Sequence, residues 1–167
     1  MSKPTNLQDL YIDELKDLWS ANDQMHRVVK KIADKAHSPK LKALLAKSEK
    51  GIGEHTNVLK GLLSSNDSDV SKEHCKGMAG LVDEAKKHVL EEGPDQGAVL
   101  DALIVAQYQR MTHYGIAGFG TAAAYAEALG RKDDAAQLNR ATKEIYGGDE
   151  YATVLAETSI NLKAENA

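Results

Sequence analysis

Apolar residues recur every three or four positions over long stretches of the chain, the spacing of one face of an α-helix. The first such stripe covers residues 7–32 and the second covers residues 41–63. Thr5 and Gln8, at the start of the first stripe, have the spacing of a capping box. Ser38-Pro39 precedes the second as a cap followed by proline at the first helical position. Because the join between the stripes is short, they predict an antiparallel pair of helices.

The second half of the chain carries three further helical segments. Residues 64–72 are polar and lack periodicity, which predicts a crossover loop. A shorter helix is expected over residues 73–91, and Gly93-Pro94 ends it. A long helix is expected from about residue 96 to residue 129, with Gly130 as its left-handed C-terminal stop.

The last helix is expected to begin near Lys132 and to contain Gly147 and Gly148 in its middle. Each glycine costs about 1 kcal/mol relative to alanine in a helix, so the pair predicts a kink or a very close helix contact. No segment has the alternating pattern of a strand. Two antiparallel helical hairpins joined by a connection with a short helix form the ferritin-like topology. We therefore expect a single all-α domain over residues 1–167, with its core at roughly 5–163.

Composition argues against several classes of function. The chain has 167 residues, of which 42% are hydrophobic and 28% charged, as in ordinary globular proteins. Its formal net charge is -4, without a block of lysine and arginine, which argues against nucleic-acid binding. No segment has the length of a signal peptide core or a membrane span. The one cysteine, Cys75, fits a reducing cytosol and is expected to be buried, so we predict a cytoplasmic protein.

Three segments carry a more specific pattern. Residues 75–85 read CKGMAGLVDEA, residues 113–130 read HYGIAGFGTAAAYAEALG, and residues 10–25 read LYIDELKDLWSANDQM. The first resembles the Cys-x-x-Met-x-Gly-Leu-x-x-Glu-Ala signature of the YciE/YciF-like ferritin-like family, and the others resemble its His-Tyr helix and its opening helix. The resemblance implies a ferritin-like bundle, often dimeric and sometimes holding two irons, linked to bacterial stress without a settled biochemical role.

The resemblance also locates the family's metal-site positions, where this chain has no carboxylate. Those positions are Asn22, Gly51, His55, Thr112, Gly115 and Ile145. A di-iron site in a bundle needs a glutamate from each of two helices and Glu-x-x-His from each of the other two. With so few ligands left, we expect a vestigial site without a metal, a cofactor or catalytic residues. The small residues are expected to let the helices pack into the space of the lost metal, or to form a subunit interface.

Three functions remain open. The favoured one is a non-enzymatic, stress-associated structural or interaction protein that forms a homodimer, with no nucleic-acid or membrane partner. The second is a ferritin-like oxidase, peroxidase or iron-handling protein with an atypical site at His55, His113, Glu144 or Asp149. The third is a DNA-protecting or iron-storing cage of the starvation-protein type. It is the weakest, because the chain has no basic tail and resembles a family that builds no storage cage.

Overall fold

The computed structural model describes residues 3–66, 68, 71–94 and 97–167, which are almost entirely helical and include no strand. The helices are α1 (Leu7–Lys35), α2 (Pro39–Ser65), α3 (Lys76–Ala85), α4 (Ala98–Ala128) and α5 (Lys132–Leu155). A π-helical turn, Lys86–Glu91, continues α3, and a second, Ala156–Ile160, connects α5 to a final α-helical turn, Asn161–Glu165. The prediction of an all-α protein is confirmed.

Four of these helices form the bundle. Around its axis, α1 lies between α2 and α4, and α5 closes the ring by packing against α4 and α2. The short helix α3 packs across α1 and α4. This is the predicted ferritin-like four-helix bundle with an additional short helix in the crossover connection.

The helix ends agree with the sequence patterns at most positions. Ser38 accepts a hydrogen bond from the backbone N–H of Leu41, with proline at the first helical position, as predicted. Gly130 has the predicted positive φ, +74°. The prediction that Thr5 caps α1 was wrong by one residue. Asn6 accepts from the backbone N–H of Asp9 at 2.9 Å, and Thr5 instead donates to the Asp9 carboxylate.

The crossover differs from the prediction at both ends. The helix expected from residue 73 begins at Lys76, because Cys75 is its N-cap and accepts from the backbone N–H of Met78 at 3.3 Å. Residues 64 and 65 of the expected loop belong to α2, while residues 67, 69 and 70 lie outside the described residues. Residue 96, the expected start of the fourth helix, also lies outside them, and α4 begins at Ala98.

The buried apolar side chains form two clusters, one toward each end of the bundle. The first cluster includes Tyr11, Leu18, Leu59, Phe119 and Leu138. The second includes Val29, Leu45, Ile104, Met111 and Leu155. Side chains from both clusters reach a cleft in the middle of the bundle, which therefore lies between two well-packed ends.

A cleft at the predicted metal-site positions

All six positions that the family resemblance assigns to a metal site line one cleft of about 710 Å³. Asn22 comes from α1, and Thr112 and Gly115 come from α4. Gly51 and His55 lie on α2, and Ile145 lies on α5. The family resemblance therefore identified six positions that lie together in the folded chain. That these positions once held a metal stays a prediction.

The expectation that packing fills this space was wrong. A Cβ placed on Gly51 would have no non-local heavy atom within 4 Å, and one on Gly115 would meet only Ile145 Cδ1, at 3.6 Å. The small residues here leave open volume, because the neighbouring helices do not move in to replace the missing side chains. Gly118 behaves differently, since its Cβ would lie 2.5 Å from Leu18 Cδ2.

The glycine pair of α5 also lines the cleft. The helix continues through Gly147 and Gly148 without interruption from Lys132 to Leu155. A Cβ on Gly148 would lie 3.1 Å from the phenol oxygen of Tyr108, whereas one on Gly147 would have open space. The predicted close helix contact is thus confirmed at Gly148 alone.

His55 and Glu144 meet at the cleft wall. His55 Nε2 lies 2.8 Å from Glu144 Oε2, and the imidazole is buried while the carboxylate is largely exposed. The edge of the His55 ring also contacts Phe119, with ring centroids 5.6 Å apart. His55 is therefore a hydrogen-bonded, packed histidine whose Nε2 is engaged by a protein carboxylate.

His113 and Asp149 form a second, separate pair. His113 Nε2 lies 2.9 Å from Asp149 Oδ2, and 63% of the His113 side chain is exposed. The Asp149 carboxylate also accepts from Gln109 Nε2 at 3.1 Å. Thr112 Oγ1 lies 3.3 Å from Asp149 Oδ1, but its one hydrogen has a closer acceptor, the Gln109 carbonyl oxygen at 2.8 Å. Sequence analysis missed Gln109, whose role depends on a neighbour forty residues later in the chain. The Asp149 oxygens are thus engaged by His113 and Gln109, with Thr112 close by.

These donors do not fit a di-iron centre. No group of three or more His, Cys, Asp or Glu side chains that could hold a metal ion occurs among residues 3–66, 68, 71–94 and 97–167. At the six positions, His55 is the one strong ligand, and Glu144 already engages it. Carboxylates are needed to bridge two irons and to neutralise their charge, and this site lacks them.

Polar groups are nevertheless present at the inner wall. Asn22 is only 6% exposed, and its Nδ2 has no hydrogen-bond partner among the described residues. Tyr108 Oη lies 2.5 Å from Ser48 Oγ, and both residues line the cleft. Burial raises the pKa of the Tyr108 phenol, which therefore keeps its proton at neutral pH. Ser48 and Tyr108 lie 60 residues apart in the chain, so no local sequence pattern predicts the hydrogen bond between them.

The surroundings of Cys75 disfavour the thiolate form of its side chain. As predicted, it is fully buried, and its sulfur lies 3.0 Å from the phenol oxygen of Tyr114, which donates to Asp17 at 2.9 Å. Burial raises the pKa of the Cys75 thiol. Gly77 gives this network room, since a Cβ there would lie 2.7 Å from the Tyr114 ring and would displace it. The cysteine motif therefore joins α3 to α1 and α4.

Fold and cleft together define a ferritin-like helical bundle in which the described residues place no carboxylate cluster at the centre. A family model described as a domain of unknown function, DUF892, matches residues 6–165. The chain belongs to this family. It is 32% identical over 161 residues to Protein YciF of Escherichia coli strain K12, covering 96% of each chain.

Solved structures agree with this assignment. The crystal structure of the E. coli stress protein YciF superposes with a TM-score of 0.87 and 28% identity over 95% of this chain and 99% of that one. YcfI of Rhodopseudomonas palustris, whose description proposes a structural protein, superposes with a TM-score of 0.85 and 27% identity over 92% and 97%. Dps from Thermosynechococcus elongatus, at 12% identity and a TM-score of 0.67 over 89% and 91%, shares the fold alone. Among the described residues, no helix is long and apolar enough to cross a membrane.

Proposed function

We propose that this protein is a non-enzymatic, ferritin-like, stress-associated protein with a structural or interaction role and a vestigial di-iron site. One observation carries the proposal. The positions that should hold the metal line a single cleft, and they offer an amide, a hydroxyl, an engaged imidazole and apolar or absent side chains. Such a set supplies neither the bridging carboxylates nor the open coordination positions that di-iron oxidation requires.

The relatives support the wider role. YciF is described as a stress protein, and the description of YcfI proposes a structural protein. Both resemble this chain over more than nine-tenths of its length. A bacterial stress protein that acts through its surface and its cleft, in the cytoplasm and without nucleic acid, is consistent with the acidic composition.

We also propose that the protein forms a homodimer. Large apolar side chains are exposed on α5, where Tyr146, Tyr151 and Val154 are each about half exposed. Sedimentation equilibrium tests this: a mass of about twice 18.1 kDa supports the dimer. A mass equal to that of the monomer, or one many times larger as for a storage cage, contradicts it.

Metal analysis tests the vestigial site. Protein purified without chelator, and again after anaerobic loading with ferrous iron and desalting, is expected to hold far less than one iron per chain. About two irons per chain, the stoichiometry of a di-iron bundle, would overturn the proposal. Comparing the two preparations distinguishes a site that loses its metal during purification from a site that has no affinity for iron.

The alternative of an atypical site makes a different prediction. If His55 with Glu144, or His113 with Asp149, held iron, then His55→Ala or His113→Ala would abolish the iron taken up on loading. Because the two pairs are separate in the structure, the two variants report on different sites. Iron uptake that either substitution removes would establish the iron-handling alternative and contradict the proposed function.

A further inference from the structure

A second, smaller pocket lies where the segment before α3 approaches α1, and it shares no lining residue with the central cleft. Its volume is about 260 Å³, and it is lined by Ser20, Asp23, Gln24, Arg27, Lys72 and His74. All six residues are polar or charged, so an apolar molecule would find little apolar surface to bury against. The pocket therefore suits a small polar ligand.

Two hydrogen bonds hold the segment before α3 against this side of α1. The backbone N–H of Cys75 donates to Ser20 Oγ at 3.0 Å, and Gln24 Nε2 donates to the carbonyl oxygen of Cys75 at 3.0 Å. Ser20 is only 4% exposed, so this contact forms the floor of the pocket. The walls are thus brought together by the fold itself, which lowers the ordering cost of binding a ligand.

The ion pairs of the pocket leave one arginine without a partner. Asp23 and Arg27 are four residues apart on α1, a spacing at which a carboxylate and a guanidinium often pair. The Asp23 carboxylate instead pairs with Lys72, whose Nζ also lies 5.8 Å from the centroid of the Trp19 ring. Arg27 makes no hydrogen bond or ion pair with any described residue. Its charge is therefore available to a ligand.

The balance of charge favours an anion. The charges of Asp23 and Lys72 cancel, so Arg27 leaves the pocket with a formal positive charge. Lys31, one turn farther along the same side of α1, is exposed and adds to the positive potential. An arginine presents its N–H donors in a planar fork that matches the oxygens of a phosphate. His74 supplies a further ring N–H at the pocket wall.

We propose that this pocket binds the phosphate group of free phosphate or of a small phosphate ester, with Arg27 as the principal contact and Lys72 and His74 as further donors. The inference goes beyond the proposed function, because the pocket is separate from the central cleft and its residues are independent of any metal there.

Titration at constant ionic strength tests the proposal. The probes are inorganic phosphate, phenyl phosphate and benzoate, which carries a carboxylate in place of the phosphate. The readout is the backbone amide ¹H–¹⁵N resonance of His74, which every variant retains. We expect both phosphate compounds to shift this resonance saturably and to bind about tenfold more tightly than benzoate, roughly the effect of one charge-assisted hydrogen bond. Equal affinities would identify free phosphate as sufficient, whereas tighter binding of phenyl phosphate would identify an ester as the ligand.

Three variants test the assigned contacts. Arg27→Gln is expected to lower the affinity for phosphate about tenfold. Arg110→Gln changes the net charge equally at an exposed position of α4 outside the pocket, and it should leave the affinity unchanged. Asp23→Asn removes the negative charge and frees Lys72 for the ligand, so it should raise the affinity about threefold, the scale of a surface ion pair.

Four results would contradict the proposal. The absence of a saturable shift with either phosphate compound overturns it outright. Equal affinities in Arg27→Gln and Arg110→Gln overturn the location, because binding would then depend only on net charge or occur elsewhere. Benzoate that binds as tightly as phosphate overturns the assignment to a phosphate group. A lower affinity in Asp23→Asn contradicts the argument from charge.

Discussion

Glycine has opposite effects at two seams of the bundle, meaning two interfaces between neighbouring helices. Between α1 and α4, Gly118 has no space for a side chain, because Leu18 Cδ2 and Glu14 Oε1 lie 2.5 Å and 3.1 Å from where its Cβ would be. Between α2 and α5, Gly51 has open space around the same position. Glycine at one seam permits close packing, whereas glycine at the other leaves a cleft.

The difference shows that small residues do not by themselves bring helices together. The spacing of the bundle is set by the large side chains of its two core clusters, which include Tyr11 and Phe119 at one end and Ile32 and Met111 at the other. A glycine between those ends is close to its neighbour only where a large side chain projects into its space. At Gly118 that side chain is Leu18, whereas nothing of the kind faces Gly51.

The largest expected effect is at the tight seam. Gly118→Leu should lower the free energy of unfolding by about 3 kcal/mol, because the new side chain has no volume to occupy and Leu18 is fully buried. Urea denaturation measures the change. Gly120→Leu, on the same helix with open space around its Cβ, is the control and should not destabilise the protein. Equal destabilisation by both variants would mean that Gly118 is not specially packed.

The open seam should respond with the opposite sign. Gly51→Leu is expected to raise the free energy of unfolding by about 2 kcal/mol, of which helix propensity supplies about 1 and burial in the cleft the rest. Gly61→Leu on the same helix measures the propensity part alone, since its position is exposed and lies outside the cleft. If Gly51→Leu destabilised the protein, the cleft would be closed in solution and the contrast between the seams would be lost.

A smaller gain is expected at the inner wall. Asn22→Leu removes a buried donor that has no partner among the described residues, and it should raise the free energy of unfolding by about 1 kcal/mol. Asn57→Leu, at an exposed position of α2, measures the effect of the same substitution without burial. Thermal unfolding of the two variants gives the difference. A loss of stability in Asn22→Leu would show that the amide has a partner in solution.

The smallest effect concerns the carboxylate beside Gly118. Burial, together with the negative charge of Asp17, raises the pKa of Glu14 above its usual 4.5. Because the folded-state pKa is raised, the stability that Glu14 contributes is full below the unfolded pKa and is lost as pH rises through the folded pKa. Glu14→Gln should therefore stabilise the protein relative to wild type more at about pH 7 than at about pH 4. Denaturation at the two pH values measures this, and a gain confined to the lower pH would contradict the assigned sign.

Much of the fold could be predicted from the sequence, because helical periodicity is local. The five helices, the Ser38-Pro39 start and the stop at Gly130 all depend on residues close in the chain. The errors at Thr5 and at the start of α3 arose where a neighbouring residue offered a competing cap, Asn6 in one case and Cys75 in the other.

The candidate site, like the fold, could be predicted from the sequence only in part. Family resemblance brought together Asn22, His55 and Thr112, because a bundle brings corresponding helix positions to its centre. Whether the centre of the bundle is filled or open depends on the distance between the helices, which cannot be predicted from a local sequence pattern. The partners of Asp149 and the bond between Ser48 and Tyr108 join residues far apart in the chain, so they could be found only in three dimensions.

Restoring the ligands tests the vestigial site most directly. The variant Asn22→Glu, Gly51→Glu, Thr112→Glu and Gly115→Glu places four carboxylates in a cleft that has room for them, beside the existing His55. After anaerobic loading with ferrous iron and desalting, we predict iron bound in the variant, approaching about two per chain, and almost none in the wild type. Iron in the wild type equal to that in the variant would contradict the account, because the present residues would then suffice for a metal centre.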